Sequence, residues 1–337
     1  MKLIKRENRV LITGAAGFIG ASLSKALLEK GMKVIGFDAL NDYYDVNLKM
    51  ARLKRLTEYS SFIFIKGDLE NRKDLQKVFE QERPSVVVNL AAQAGVRYSI
   101  DHPDCYVQTN LVGFFHLLEL CRHYKISHLV YASSSSVYGA NDRVPFSVED
   151  KTDWPVSLYA ATKKANELMA YAYSSLYQFP VTGLRFFTVY GPWGRPDMAY
   201  FSFADAMMEG RTIKVFNYGD MYRDFTYIDD IVEGVCRVLE CPPETDKNGV
   251  RAAVYNIGNH KSESLMEFIH ILEKKLGKKA VCEFLPIQKG DVYRTCADIS
   301  EMEKTFGFFP KTTLEEGLGQ FADWYLSYRK NYERMRR

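Results

Sequence analysis

Several kinds of site are missing from this 337-residue sequence, and each absence narrows what the protein can do. The six cysteines form no C-x-x-C pair and the histidines are scattered, so we expect neither a disulfide framework nor a metal site. No apolar run is long enough to cross a bilayer, and no signal-peptide core follows the basic start of the chain. A net charge of +3 is too small to indicate nucleic acid as a partner. We therefore expect a cytoplasmic protein that binds no metal, membrane or nucleic acid.

Short apolar runs alternate with amphipathic segments through the first half of the chain. Strands that are buried on both faces are apolar nearly throughout, whereas helices are apolar on one face. The predicted strands are 10–13, 33–38, 62–66, 85–89, 128–132 and 181–186, and the predicted helices include 19–30, 73–81, 106–123 and 158–177. This alternation predicts an α/β fold with a doubly wound parallel Rossmann sheet.

The pattern changes after the turn-rich segment 191–196, where the elements become shorter and more mixed. We predict a Rossmann domain over 1–190 and a second, smaller α/β lobe over 191–337. The chain is expected to return to the first lobe near 220–242, which makes the boundary discontinuous. Because ligands of open α/β sheets bind at the carboxyl ends of the strands, a cleft is expected there, beneath the second lobe.

A strand, a glycine loop and a helix start follow one another at residues 10–20, and this order is typical of a dinucleotide site. Gly14 permits the tight turn, Gly17 lets the backbone approach a pyrophosphate, and Gly20 permits close helix–strand packing. The next strand ends in Asp38, whose carboxylate accepts hydrogen bonds from ribose hydroxyls and repels a 2′-phosphate, which favours NAD over NADP. The other predicted cofactor contacts are Phe18, Ile19, Asn41, Asp68, Leu69 and Ala91, although Asp68 also suits the N-cap of the following helix.

Tyr159 and Lys163 lie at i and i+4 of a predicted helix, which places them on one face. An ammonium beside a phenol favours the phenolate, so Lys163 is expected to lower the pKa of Tyr159 and suit it to proton transfer. The same ammonium can bind the nicotinamide ribose. The serine-rich run 133–136 follows the fifth strand, where a hydroxyl can orient a substrate oxygen.

These motifs together resemble the extended short-chain dehydrogenase/reductase family of nucleotide-sugar enzymes over nearly the whole chain. The shared motifs are G-x-x-G-x-x-G at 14–20, Asn-Leu-Ala-Ala at 89–92, the serine-rich run, Y-x-x-x-K at 159–163 and Arg-Asp-Phe at 223–225. Within the family, the strings at 41–45, 92–99 and 184–198 are most similar to those of UDP-glucuronate 4-epimerases. The resemblance implies Tyr159 as general base, Lys163 as its modulator and ribose ligand, and Ser134 as the hydroxyl that faces the sugar 4-hydroxyl.

The resemblance also implies a UDP-sugar substrate and points to the residues that bind it. Arg223 is similar to the diphosphate-binding arginine of the family, and Asp291 to a nucleotide contact. Where galactose-specific relatives carry a second arginine, this chain has Gln288, and either Lys289 or Arg294 can supply the missing charge. The predicted ligands of a sugar carboxylate are Ser135, Ser136, Thr188 and Arg195. Arg97 is a further candidate for the same role. The alternative for Arg195 is a structural ion pair within its loop.

Family members use this scaffold for epimerisation, dehydration or decarboxylation. The dehydratases carry Asp-Glu and the decarboxylases a Glu where this chain has Ser135-Ser136. Without that carboxyl group, elimination lacks its proton donor, which favours reversible 4-epimerisation of UDP-glucuronate to UDP-galacturonate through a 4-keto sugar. The alternatives are a 4-epimerase of UDP-N-acetylhexosamines, a UDP-glucuronate decarboxylase and a non-catalytic NAD-binding protein. The family also implies a homodimer joined by a four-helix bundle of segments 106–123 and 158–177.

Overall fold

The computed structural model describes residues 8–288 and 290–335, and it describes side chains as far as Lys330. The first seven residues and Lys289 lie outside the described residues. The expected lack of a signal peptide concerns the first of these segments. Within these ranges no helix is long and apolar enough to span a membrane. The same part of the chain contains no group of three or more His, Cys, Asp or Glu side chains that could hold a metal ion.

A seven-stranded parallel sheet forms the centre of the molecule, in the order β3-β2-β1-β4-β5-β6-β11. The strands are β1 (Arg9–Thr13), β2 (Lys33–Asp38), β3 (Phe62–Lys66), β4 (Val86–Asn89), β5 (His128–Ser134), β6 (Val181–Phe186), β7 (Thr188–Tyr190), β8 (Thr212–Val215), β9 (Tyr222–Arg223), β10 (Phe225–Tyr227), β11 (Ala252–Ile257), β12 (Glu263–Ser264) and β13 (Val281–Phe284). The order reverses between β1 and β4, which confirms the doubly wound α/β fold and places the switch point beside the glycine loop. Smaller pairs join β7 to β10, β8 to β13 and β9 to β12.

Helices cover both faces of the central sheet. They are α1 (Phe18–Glu29), α2 (Val46–Leu56), α3 (Arg72–Glu82), α4 (Tyr98–Asp101), α5 (Pro103–Tyr106), α6 (Phe114–His123), α7 (Leu158–Tyr177), α8 (Ala199–Glu209), α9 (Ile228–Glu240), α10 (Leu265–Leu276), α11 (Ser300–Phe306) and α12 (Leu314–Met335). Alternate residues of β1 enter two cores: Ile12 packs in the core that contains Leu27 of α1, and Leu11 in the core that contains Leu75 of α3. Burial of each such side chain stabilises the fold by about 1.5–3 kcal/mol.

The six predicted strands are present, and three of them have the predicted bounds. The seventh, β11, was not predicted; it pairs with β6 from Ala252–Val181 to Ile257–Phe186. As an edge strand it is only half-buried over its first four residues, so it lacks the continuous apolar run of a central strand. The division into two lobes remains a prediction.

Segment 106–123 is not the single regular helix that the sequence predicts. A π-helix over Val107–Gly113 lies between α5 and α6. Within it, the Asn110 side chain accepts a hydrogen bond from the Gln93 backbone N–H (2.8 Å) and donates one to the Gln93 carbonyl (3.0 Å). The carbonyl of Asn110 accepts from Nδ2 of Asn166 on α7 (2.7 Å). The irregular turn therefore connects the loop after β4 to α7, and π-turns often occur at functional sites.

Candidate active site

A cleft of about 1060 Å³ opens where the strands of the central sheet end. Loops that follow β1 to β6 line it, together with segments from the second half of the chain. The predicted site residues that line it are Gly14, Gly17, Phe18, Ile19, Gly20, Asp38, Asn41, Asp68, Leu69, Ala91, Arg97, Ser134, Ser135, Ser136, Tyr159, Lys163, Thr188, Arg195, Arg223 and Asp291. Predicted site residues that are spread over almost 280 positions of the sequence thus line one cavity.

The glycine loop turns tightly between β1 and α1. Gly14 has a φ of +72°, and a Cβ there would lie 2.7 Å from the backbone nitrogen of Ala91. A Cβ on Gly20 would lie 2.1 Å from the carbonyl oxygen of Gly14, so a side chain at either position would force the loop apart. Helix α1 begins after Gly17 with no side-chain cap and no acid in its first turn. Its N–H groups and positive dipole end are therefore available to a pyrophosphate.

Asp38 ends β2 beside this loop. Its Oδ2 accepts from the Ala16 N–H (3.0 Å) and its Oδ1 from the Leu40 N–H (2.8 Å). Lys49, which the sequence did not single out, is buried in the same wall and donates to both oxygens of Asn41 at 2.6 Å. The fixed carboxylate fits the ribose hydroxyls of NAD, so the residues present suit a dinucleotide.

Asp68 and Leu69 line the cleft after β3. Oδ1 of Asp68 accepts from the Glu70 N–H (3.0 Å), which closes a turn. The N-cap of α3 is Asn71, whose side chain accepts from the N–H of Lys73. The alternative explanation of Asp68 as a helix N-cap is therefore wrong, and its position agrees with a cofactor contact.

Arg52 joins the glycine loop to the opposite wall of the cleft. This residue of α2 is 1% exposed. Its Nη1 donates to the Ala16 carbonyl (3.0 Å), its Nη2 to the Gly194 carbonyl (2.8 Å) and its Nε to the Trp193 carbonyl (2.9 Å). A buried guanidinium thus fixes both walls relative to each other, a role that no local motif reveals.

Tyr159, Ser134 and Lys163 come together at the bottom of the cleft. Tyr159 lies in the first turn of α7, which Ser157 caps by accepting from the Ala160 N–H (3.1 Å). Tyr159 and Ser134 both line the cleft, and Ser134 lies close enough to affect the ionisation of the phenol. Lys163 is 3% exposed, and its Nζ lies 6.0 Å from the centre of the Tyr159 ring. The structure thus assembles the predicted proton-transfer group.

The ionisation of Tyr159 differs from the expectation. Burial raises the pKa of Tyr159, and the neighbouring Ser134 hydroxyl and the charge of Arg195 counteract this rise only in part. Lys163 donates a hydrogen bond to the Ala132 carbonyl (2.9 Å), and burial lowers the pKa of Lys163 to about 8. Among the described residues, the cation whose charge lowers the pKa of Tyr159 is Arg195.

A buried ion pair supports the serine-rich run from behind. Glu167 accepts from Nε (2.8 Å) and Nη2 (2.9 Å) of Arg185, and the two side chains are each about 5% exposed. Ser133 donates to Glu167 (2.6 Å), and Nη1 of Arg185 donates to the Tyr138 hydroxyl (3.0 Å). These bonds fix the end of β5 and the 3₁₀ turn Ser135–Tyr138, so Glu167 and Arg185 position the serines rather than contact a ligand.

Arg195 and Thr188 line the same cleft as these serines. Nε and Nη2 of Arg195 donate to the two oxygens of Asp197 at 3.0 and 2.5 Å. The guanidinium therefore makes the loop ion pair and also lines the cleft, so the two explanations of Arg195 are compatible.

A second group of charges lies where the chain from β9 meets the loop after β4. Nη1 of Arg223 donates to the carbonyls of Tyr222 (2.9 Å) and Tyr293 (3.1 Å). Nη2 of Arg97 lies 2.9 Å from Oδ2 of Asp291, and burial lowers the pKa of Arg223 although the charge of Asp291 opposes this. Two arginines thus flank one carboxylate, which leaves positive charge for an anionic ligand.

Gln288 and Arg294 do not line the cleft, contrary to the sequence-based expectation. Arg294 is exposed, and its Nε donates to the Ser262 hydroxyl (3.0 Å) while its guanidinium lies over the Tyr222 ring. The side-chain oxygen of Gln288 is buried without a partner among the described residues. Arg294 is therefore held away from the site by its own contacts, and Lys289 lies outside the described residues.

Comparison with known proteins agrees with this geometry. A model of the NAD dependent epimerase/dehydratase family matches residues 10–258. Protein CapI of Staphylococcus aureus is 53% identical over 96% of this chain and 99% of its own length, and the probable UDP-glucuronate 4-epimerase of Rhizobium meliloti (strain 1021) is 46% identical over 97% and 98%. The crystal structure of UDP-glucuronic acid 4-epimerase from Bacillus cereus, in complex with UDP-glucuronic acid and NAD, has a TM-score of 0.87 and 37% identity, over 95% of this chain and 99% of that one. The chain therefore belongs to the NAD-dependent epimerase/dehydratase family.

Proposed function

We propose that this protein is an NAD-dependent UDP-glucuronate 4-epimerase, which interconverts UDP-glucuronate and UDP-galacturonate. The observation that carries the proposal is that Tyr159 and Ser134 line one cleft, with the charge of Arg195 reaching the Tyr159 phenol. Serines 135 and 136 occupy the positions at which the dehydratases and decarboxylases carry acids. The relatives named as UDP-glucuronate 4-epimerases support the same activity.

The cofactor of the reaction is NAD. When bound, NAD would supply the hydride acceptor and donor for C4 of the sugar. The glycine loop and the start of α1 would hold its pyrophosphate, Asp38 and Asn41 would hold its adenosine ribose, and Lys163 would hold its nicotinamide ribose. Because the hydride returns, the protein has to retain its cofactor through both half-reactions.

Tyr159 exchanges the proton of the sugar 4-hydroxyl. Ser134 orients that hydroxyl and shares its hydrogen bond with the phenol, so the proton has a short path to the Tyr159 oxygen. The charge of Arg195 favours the phenolate and counteracts part of the rise in the pKa of Tyr159 that burial causes. After the 4-keto sugar has turned, Tyr159 returns the proton. The protein thus supplies position and proton transfer.

The 4-keto form of a glucuronate is a β-keto acid, which loses carbon dioxide when its carboxylate stands perpendicular to the ketone. We assign Arg195, Thr188, Ser135 and Ser136 to hold this carboxylate, since they offer one cation and three hydroxyl donors in the same cleft, and the charge of Arg195 reaches Tyr159. Arg97 pairs with Asp291 near Arg223, so we assign these three to the diphosphate and nucleoside. Arg97 then supplies the positive charge that a second arginine provides in galactose-specific relatives and that Gln288 lacks.

Purified protein without added reductant tests the function. Proton NMR of a mixture with UDP-glucuronate should show UDP-galacturonate and no net NADH. UDP-N-acetylglucosamine serves as the competing substrate, and we expect it to turn over far more slowly because it offers Arg195 no carboxylate. UDP-xylose as sole product, faster turnover of the acetamido sugar, or no turnover would each refute the proposal.

We also propose that the protein forms a homodimer through α6 and α7 with the adjoining π-helix. The two helices are linked by the Tyr173 hydroxyl, which donates to Glu119 (2.8 Å). Together with the π-helix they leave large apolar side chains exposed: Val107, Phe115, Leu168, Tyr171, Leu176 and Tyr177. An exposed apolar surface of this kind is typical of an interface.

The change Leu168→Glu should convert the dimer to a monomer, because this side chain is 61% exposed in the single chain and would bring a charge into the interface. Sedimentation equilibrium should give twice the 38.7 kDa chain mass for the unmodified protein and the chain mass for the variant. Met50→Glu, on an exposed helical position of α2, is the matched control and should stay dimeric. A monomeric unmodified protein would contradict the proposal.

A further inference from the structure

Asp197 lies beside the reaction centre but has no part in the mechanism described above. We propose that Asp197 is a positioning residue that, together with Tyr43, holds Arg195 side-on, so that the remaining edge of its guanidinium faces the C6 carboxylate of the sugar. The inference rests on the proposed function and deepens it, because it names what keeps the carboxylate ligand in place.

The ion pair leaves one edge of Arg195 available. Asp197 receives hydrogen bonds from Nε (3.0 Å) and Nη2 (2.5 Å), which is the side-on arrangement of the pair. Among the described residues, Nη1 makes no hydrogen bond. Because a guanidinium is planar and rigid, fixing one edge also fixes the direction of Nη1 and of the second Nη2 proton. The pair is only partly exposed, with 21% of the Arg195 side chain and 32% of the Asp197 side chain accessible.

Tyr43 is the second partner of Asp197 in the cleft. Its hydroxyl donates to Oδ2 of Asp197 (3.2 Å), and the Arg195 guanidinium lies 5.7 Å from the centre of its ring. The ring in turn packs edge-on against Tyr98 at 4.8 Å. Burial, reinforced by the charge of Asp197, raises the pKa of Tyr43 to about 12, so the hydroxyl remains a donor at neutral pH. Asp197 thus has two partners, one of them more than 150 residues earlier in the chain.

The arrangement has a chemical consequence for the 4-keto intermediate. Its decarboxylation breaks the C5–C6 bond, releases carbon dioxide and leaves the electron pair as the enolate of the ketone, which takes a proton at C5 from the medium. The step requires the carboxylate to rotate out of the ketone plane. A guanidinium that is fixed by Asp197 resists this rotation, whereas a guanidinium that can swing follows it.

The variant Asp197→Asn keeps the size of the side chain and removes its charge. With UDP-glucuronate labelled with ¹³C at C6, we expect the KM to rise about tenfold, the effect of one charged hydrogen bond, with kcat changed less than about threefold. The ¹³CO₂ released per epimerisation should rise about tenfold or more, since release depends on the same contact. The inhibition constant of UDP, which has no carboxylate, should not change. Tyr43→Phe should change the same quantities in the same direction by less.

Glu209→Gln is the matched control, since it removes the charge of an exposed carboxylate that pairs with Arg211 two residues later (2.6 Å), outside the cleft. It should leave all these quantities unchanged. If Asp197→Asn behaves like this control, or weakens UDP as much as UDP-glucuronate, the inference is wrong. If the unmodified protein does not epimerise UDP-glucuronate, the proposed function fails instead.

Discussion

Replacement of Tyr159 with phenylalanine is expected to lower kcat for UDP-glucuronate by about a thousandfold or more, and to leave NAD bound. The change removes only the hydroxyl that exchanges a proton with the sugar and pairs with Ser134. The glycine loop, Asp38 and Lys163, which we assign to the cofactor, are untouched. Turnover is measured by NMR, and bound NAD by releasing it from denatured protein and quantifying it.

Tyr171→Phe is the control for this experiment. Tyr171 lies on the same helix, α7, but 45% of it is exposed and it does not line the cleft. It should therefore retain full activity. If Tyr159→Phe retains more than a tenth of the kcat, proton transfer does not pass through this phenol and the mechanism is wrong.

The change Glu167→Leu should destabilise the protein by about 3–5 kcal/mol, because it leaves the buried charge of Arg185 without a partner. Ser133 also loses its acceptor, so activity should fall even at temperatures where the variant is folded. Urea unfolding followed by circular dichroism measures the loss. The double variant with Arg185→Leu should recover much of it, since two apolar side chains replace the pair.

This destabilisation should depend on pH. Burial raises the pKa of Glu167, but its bonds with Arg185 outweigh burial and keep the pKa below the ordinary 4.5. A carboxylate with a lowered pKa stabilises the fold above its unfolded pKa and loses that effect as the pH falls. The difference between the unmodified protein and Glu167→Leu should therefore shrink below pH 4.5. A difference that is constant from pH 7 to 3, or smaller than about 1 kcal/mol at pH 7, contradicts the role of the pair.

The fold was largely predictable because the central strands are buried on both faces and so have continuous apolar runs. The strand β2 matches its predicted bounds 33–38, whereas β11 escaped prediction because its first four residues are half-buried at the sheet edge. The irregular helix over Val107–Gly113 was not predictable either, since its cause is a contact between Asn110 and residues on other elements. Local pattern thus identifies the elements, and their irregularities arise from tertiary contacts.

The site was predictable where chemistry follows a local motif. Gly14 and Asp38 follow strands, and Tyr159 with Lys163 shares a helix face, so spacing alone indicated them. Residues whose partners lie on other elements have no such signal: Lys49, Arg52, Glu167 and Asp197 make contacts of this kind only once the chain has folded. Arg294 illustrates the opposite error, because proximity in sequence to Asp291 did not bring it into the cleft.

The central claim is that C4 of the sugar loses a hydride and regains the same one within one protein molecule. UDP-glucuronate labelled with deuterium at C4 tests it most directly, with purified protein in ordinary water. We predict UDP-galacturonate that retains the deuterium at C4. Loss of the label to solvent, or a product whose inversion lies at another carbon, would contradict the account.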